Sequence, residues 1–125
     1  MNHRKYQNHS LWSSLGYAIQ GIVAGVKNER NLRIHLLAVM VVTATGLYLA
    51  LTSVEWVVLT LTMGMVVSAE LMNTAIEAAV DLACPHPHPL AAVAKNAAAA
   101  AVLVTAIVAV VIAWLLLWPK LRTLV

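Results

Sequence analysis

Charge is scarce in this chain. Of its 125 residues only 10% are Asp, Glu, Lys or Arg, while 62% are hydrophobic, whereas soluble domains carry roughly a quarter charged residues and about half apolar ones. That balance excludes a water-soluble globule and makes lipid the solvent. Cysteine occurs once, as Cys84, so no intrachain disulfide can form, and a lone thiol between Ala83 and Pro85 lacks the partners of a zinc site. There is no GxxxxGK phosphate loop, no Gly-rich strand-to-helix turn and no kinase catalytic-loop pattern, so any nucleotide chemistry must use another scaffold. The polar start, 1–10, with His3, Arg4, Lys5 and His9, is not followed by a short apolar core and a small-residue cleavage site, and no removable signal peptide is expected. The net charge of +3 does not point to nucleic acid, because the basic residues are few and flank apolar segments.

What is present organises into helices. Over about 11–27 the apolar residues Leu11, Leu15, Ala18, Ile19, Ile22 and Val26 recur at three- and four-residue steps, the pattern of an amphipathic helix lying on a membrane surface. Three apolar segments then follow, at about 32–51, 55–82 and 90–118, and each can cross a hydrocarbon core about 30 Å thick, which needs roughly 20 helical residues. Thr52 and Ser53 leave room only for a tight turn. The prolines of CPHPHP over 84–89 cannot continue a helix, and Pro119 is expected to end the last one. The fold expected is an all-α integral membrane protein, a single domain over 1–125 with one surface helix and three transmembrane helices. Arg4, Lys5, Lys27, Arg30 and Arg33 precede or open the first span and Lys95 follows the second, which places the N-terminus and the Pro/His loop in the cytoplasm. Lys120 and Arg122 then fall on the outer side, against the rule.

The acids carry the chemical signal. In AELMNTAIEAAVD, at about 100° per residue, Glu70, Asn73, Glu77 and Asp81 fall within a stripe roughly 80° wide. One ionised acid at bilayer depth costs about 2.5 to 3.5 kcal/mol, so three on one helix face call for a role beyond structure. Asp81 alone can be read as a solvated residue that ends the span. Glu70 lies about 16 Å of helix rise further in, among Met65, Val66, Val67 and Leu71, and is the sharper functional candidate. Clustered carboxylates need a cation, and their hard oxygens suit Mg²⁺, which is typically held by one or two carboxylates together with substrate phosphates. Glu29, at the surface before the first span, is on the same side as Glu77 and can share that ion. Lys95 can offset phosphate charge; its plainer reading is a snorkelling lysine. His86 and His88 supply only two ligands and read as loop residues with possible nucleotide contact.

These residues together resemble the prokaryotic diacylglycerol kinase family, small membrane enzymes that include the undecaprenol kinases. ELMNTAIEAAVD over 70–81 agrees with the family's ExxNxAIExxVD pattern at every fixed position, NERNLRIH over 28–35 supplies its surface glutamate, and Ala94 and Lys95 precede small residues and Val102. The similarity runs from Gly16 and Tyr17 through Trp118. It implies that Glu70 is the general base for a lipid hydroxyl and that Glu29 and Glu77 hold Mg²⁺ against the phosphates of ATP. It further implies that Tyr17, His86, His88 and Lys95 contact the nucleotide, with Asn73 and Asp81 supporting the polar site. At Asn96 the family usually carries aspartate; here an acceptor oxygen remains beside the nucleotide but the charge is gone. The resemblance also implies a homotrimer with shared sites in the bacterial inner membrane.

The function expected is ATP- and Mg²⁺-dependent phosphorylation of diacylglycerol to phosphatidate, the alternative being undecaprenol phosphorylated to undecaprenyl phosphate. Two readings from other classes stand beside it. The acid stripe can line an oligomeric cation or proton pathway, which leaves Glu29, Lys95 and the Pro/His loop without a role. Alternatively, Asn96 marks an inactive relative that binds nucleotide or lipid without transfer.

Overall fold

The first helix starts where a serine can close its open end. Residues 10–124 are described in a computed structural model of the chain; residues 1–9, which hold most of the polar start, and Val125 lie outside the described residues. Ser10 is extended and its Oγ accepts from the Ser13 amide at 3.3 Å, satisfying one of the unpaired N–H groups at the start of α1, Leu11–Asn28. Glu29 alone is non-helical between α1 and α2, Arg30–Tyr48. Near the end of α1, Gly25 is buried, and a Cβ there would lie 2.9 Å from Leu32 Cδ2 and 3.1 Å from Leu71 Cδ2. The missing side chain lets the surface helix seat against the two helices that follow.

The turn after α2 closes by its own backbone. The Leu51 amide donates to Gly46 O and the Ala50 amide to Leu47 O, both at 3.2 Å, the paired bonds of a Schellman ending. Its left-handed position is occupied by Ala50, with φ 49°, where glycine is usual. The other apolar half of the motif is present, since Leu51 packs into the notch at Gly46. Thr52 then opens α3, Ser53–Ala83, with a reciprocal cap: its Oγ1 accepts from the Glu55 amide and its own amide donates to Glu55 Oε2 at 2.7 Å. The first span accordingly ends at Tyr48 rather than near 51, and the second helix begins at Ser53, inside the segment expected to form the turn.

Pro89 occupies the first turn of α4, Pro89–Arg122, where its missing amide costs nothing, and His88 Nδ1 accepts from the Leu90 amide at 3.2 Å. The expected stop at Pro119 is not observed; the helix runs through it to Arg122. A proline one turn from a helix end removes few bonds that the end would have kept. The last turn is also anchored by Lys120, whose Nζ lies 3.1 Å from Glu55 Oε2 at the start of α3.

The principal packing is α3 against α4, with α2 alongside. Leu51, Leu59 and Leu117 form a buried cluster with Val42, Trp56, Met63 and Ala113 around it, at the end away from the 84–88 loop. Leu103, Val104, Ile107, Val110, Val111 and Leu115 remain exposed, which in lipid carries no penalty because acyl chains are as apolar as leucine. Trp114 and Trp118 stack at 4.6 Å near one end of α4, the kind of amphipathic ring found at a membrane interface. Helices α2, α3 and α4 are each long and apolar enough to cross a bilayer, and every element in the described residues is helical. The chain is an all-α membrane protein.

Candidate active site

The stripe on α3 is graded in exposure. Glu70 is 1% exposed and Asn73 9%, Glu77 is half-buried and Asp81 exposed, so the helix passes from a closed interior toward the 84–88 loop. Thr74 Oγ1 donates to the Glu70 carbonyl at 3.1 Å, a back-bond that keeps a hydroxyl satisfied on this face. Asn73 Nδ2 donates to Glu77 Oε1 at 2.9 Å, the i to i+4 pairing that a helix permits. Two buried acceptors on the stripe, Glu70 Oε2 and Asn73 Oδ1, have no hydrogen-bond partner within the described residues. Leaving such a group unsatisfied costs about 1–3 kcal/mol, so this face has acceptor capacity that no described residue fills. A hydroxyl proton can fill it.

Glu29, at the α1–α2 elbow, His35 on α2 and Glu77 on α3 each act electrostatically on Glu70, so charge from three parts of the fold bears on this carboxyl. Within the described residues, no three His, Cys, Asp or Glu side chains form a closed metal cage. Two carboxylates without a full cage suit Mg²⁺, which keeps waters and takes the rest of its ligands from phosphate. Glu77 has one oxygen engaged by Asn73 and a second not so engaged, and the orphaned acceptors beside it show that the site has polar capacity to spare. The donor chemistry of Glu29 and Glu77, two carboxylates without a closed cage, is of the kind that suits Mg²⁺ together with phosphate oxygens.

Lys95, on the second turn of α4, pairs with Asp81 Oδ1 at 2.5 Å. Asp81 is thus joined to Lys95 across the α3–α4 loop, at the outer end of the stripe from Glu70. Asp81, Lys95, His86 and His88 line an open cavity of about 520 Å³ with Cys84 and the loop prolines. The loop is tied internally: Cys84 Sγ donates to the His86 carbonyl at 3.2 Å, and the His88 ring caps α4. Asn96 is exposed beside Lys95. Tyr17 is 58% exposed on α1.

His35 was not among the site residues expected from the sequence. The available signal was a titratable ring just inside the apolar run of α2. It also lines an apolar groove of about 170 Å³ between α2, α3 and α4, with Val39, Val42, Thr62, Val66 and Ala109. That groove therefore begins next to the polar site and runs among hydrocarbon side chains.

Comparison with known proteins finds relatives over most of the chain. The family described as prokaryotic diacylglycerol kinase matches the chain over residues 16–117. The undecaprenol kinase of Bacillus subtilis is 40% identical over 120 residues, covering 96% of this chain and 97% of that one. A diacylglycerol kinase of Synechocystis sp. is 43% identical over 117 residues, 92% of this chain and 66% of that protein. The diacylglycerol kinase of Escherichia coli is 35% identical over 103 residues, 82% of this chain and 84% of that one. All three are named as kinases of lipid alcohols. With a match spanning the surface helix, the acid stripe and nearly all of α4, the chain belongs to the prokaryotic diacylglycerol kinase family.

Proposed function

We propose that this protein transfers the γ-phosphoryl group of ATP to the terminal hydroxyl of a membrane lipid, with Glu70 as the general base. The observation that carries this reading is the burial of the Glu70 carboxyl with one oxygen unpartnered, one turn along α3 from Val66, which lines the apolar groove, and under the electrostatic influence of two further carboxylates. Helix α3 has 31 residues, about 46 Å of rise, and roughly 20 residues suffice to cross the core. Counted from Ser53, that leaves Glu70 near the far boundary of the hydrocarbon and Glu77 and Asp81 beyond it. A lipid hydroxyl resides at this depth, and a groove lined by Val39, Val42 and Val66 suits its hydrocarbon chain.

The chemistry needs charge neutralisation, in-line positioning and a base near the attacking oxygen. Glu29 and Glu77 would hold Mg²⁺, which would supply neutralisation of phosphate charge. Glu70 Oε2 accepts the hydroxyl proton as the lipid oxygen bonds to phosphorus and the bond to ADP breaks. Asn73 holds Glu77 and offers its free carbonyl oxygen to the site. Lys95 neutralises phosphate charge at the loop end, where His86, His88, Asn96 and Tyr17 supply further nucleotide contacts. The basic residues Lys27, Arg30, Arg33 and Lys95 flanking the spans support, by the positive-inside rule, a cytoplasmic site where ATP is found, in the bacterial inner membrane. The sites are completed in a homotrimer.

Two acceptors are compatible with a single hydroxyl on a long apolar body. Diacylglycerol would give phosphatidate, in keeping with the relatives named diacylglycerol kinase. Undecaprenol would give undecaprenyl phosphate, and the nearly end-to-end correspondence with the B. subtilis undecaprenol kinase favours it as the better substrate. The test is phosphate incorporation from labelled ATP by purified protein in mixed micelles containing both lipids. Transfer to either establishes the kinase and the ratio of rates ranks the acceptors; no transfer to either by a folded oligomer overturns the reading.

A further inference from the structure

Four carbonyls at the end of an α-helix have no partner within the helix, and α1 resolves this in an unusual way. The Gly25 carbonyl accepts from the Glu29 amide at 2.8 Å. The next two, of Val26 and Lys27, both accept from a single guanidinium nitrogen, Arg33 Nη1, at 3.2 and 3.0 Å. Arg33 is the fourth residue of α2, so the side chain reaches back across the break to cap the preceding helix. Its positive charge also lies at the negative end of the α1 dipole.

The break consists of Glu29 alone, extended at φ −102° and ψ 115°. Its two torsions set the angle between the surface helix and the first span, and they also set where its carboxylate points. Two contacts hold that angle. Leu32, fully buried, sits in the notch left by Gly25 together with Leu71, the neighbour of Glu70. Arg33 adds the second by bonding to the end of α1.

We propose that Arg33 is a positioning residue for Glu29: by clamping the end of α1 to the start of α2 it fixes the Glu29 carboxylate toward Glu77, so that a divalent cation meets two preset ligands. The inference rests on the metal-ligand reading of Glu29 given above. Arg33 itself touches neither cation nor substrate. The two N–H groups of Nη1, held in the guanidinium plane, reach one carbonyl each, a direction that the freely rotating ammonium of a lysine does not preset.

The test compares wild type, Arg33→Lys and Arg33→Ala in micelles. Mn²⁺ binding is read by electron paramagnetic resonance with a non-hydrolysable ATP analogue present, alongside the Mg²⁺ dependence of turnover at saturating ATP and lipid. Supporting groups behind metal ligands typically account for 10- to 100-fold in metal affinity. Arg33→Ala is therefore expected to weaken Mn²⁺ binding and raise the half-maximal Mg²⁺ concentration on the order of tenfold, with Arg33→Lys between it and wild type. Turnover at saturating Mg²⁺ and the KM for lipid should stay near wild type.

A merely structural residue would lower thermal stability and turnover together without moving the Mg²⁺ midpoint, and that result would overturn the proposal. So would a rise confined to the KM for ATP at saturating Mg²⁺, which would make Arg33 a direct phosphate contact. If Arg33→Ala does not assemble, Arg33→Lys carries the comparison. A wild-type protein that transfers no phosphate while binding Mn²⁺ in an Arg33-dependent way would sink the kinase reading and leave this one standing.

Discussion

Asn73 donates from Nδ2 to Glu77 Oε1 at 2.9 Å, one turn along α3, while its own Oδ1 stays buried without a partner. The asparagine thus orients one carboxylate and keeps a polar atom facing the site. Removing it should leave Glu77 free to swing. Asn73→Ala is expected to raise the Mg²⁺ concentration for half-maximal turnover by about 10-fold, and Glu77→Gln by more, because the second change alters the proposed ligand itself rather than its support. Titrating Mg²⁺ against turnover checks the order of the two. Chelation with EDTA should stop turnover in the wild type while circular dichroism stays unchanged, since the helices do not depend on the ion.

The Lys95–Asp81 pair joins α3 to α4 across the loop, but both side chains are partly exposed, at 35% and 66%. Exposed ion pairs contribute about 0–1 kcal/mol. Asp81→Asn should accordingly shift the thermal midpoint in detergent only slightly. Lys95→Ala removes a charged donor from the proposed nucleotide end of the site, and a hydrogen bond to a charged group contributes about 1.5–3 kcal/mol. The KM for ATP should rise by about 10-fold or more in that variant. A larger stability loss in Asp81→Asn than in Lys95→Ala, with KM for ATP unmoved in both, would make the pair structural.

Ala50 holds the left-handed position of the α2–α3 turn at φ 49°, a conformation that costs an L residue with a Cβ about 1–2 kcal/mol. Ala50→Gly relieves that strain and adds some freedom to the unfolded chain. A net gain of about 0.5–1 kcal/mol is expected, read as a higher thermal midpoint with unchanged turnover. Ala50→Val should move the midpoint down, because a branched side chain tolerates this backbone less well than alanine.

The three spans and the acid stripe were legible in the sequence because each follows from a single helix considered alone: length against bilayer thickness for the spans, and 100° per residue for Glu70, Asn73 and Glu77. Pro119 misled because its effect depends on position, and one turn from the end it interrupts little. The Asp81–Lys95 pair requires the antiparallel return of α4 beside α3, which no local pattern encodes. The Arg33 clamp is a side-chain bond over six and seven residues through a helix break, a spacing with no periodic signature. His35 needed the same knowledge, since it is a site residue only because α2 brings it to the level of Glu70. Ala50 stands where glycine is the usual signal, so the turn was visible from Thr52 and Ser53 but its geometry was not.

The central claim is that the buried Glu70 carboxyl is the base for a lipid hydroxyl. It is tested most directly by comparing phosphate transfer from ATP by wild type and Glu70→Gln, in micelles carrying undecaprenol and diacylglycerol at saturating Mg²⁺. The amide preserves the volume and accepts hydrogen bonds but cannot take the proton, and loss of a positioned base lowers rates about 10²- to 10⁴-fold. The predicted result is a fall of that size with helical content, oligomer size and Mn²⁺ binding retained. Turnover within a few fold of wild type would contradict it and remove Glu70 from the reaction.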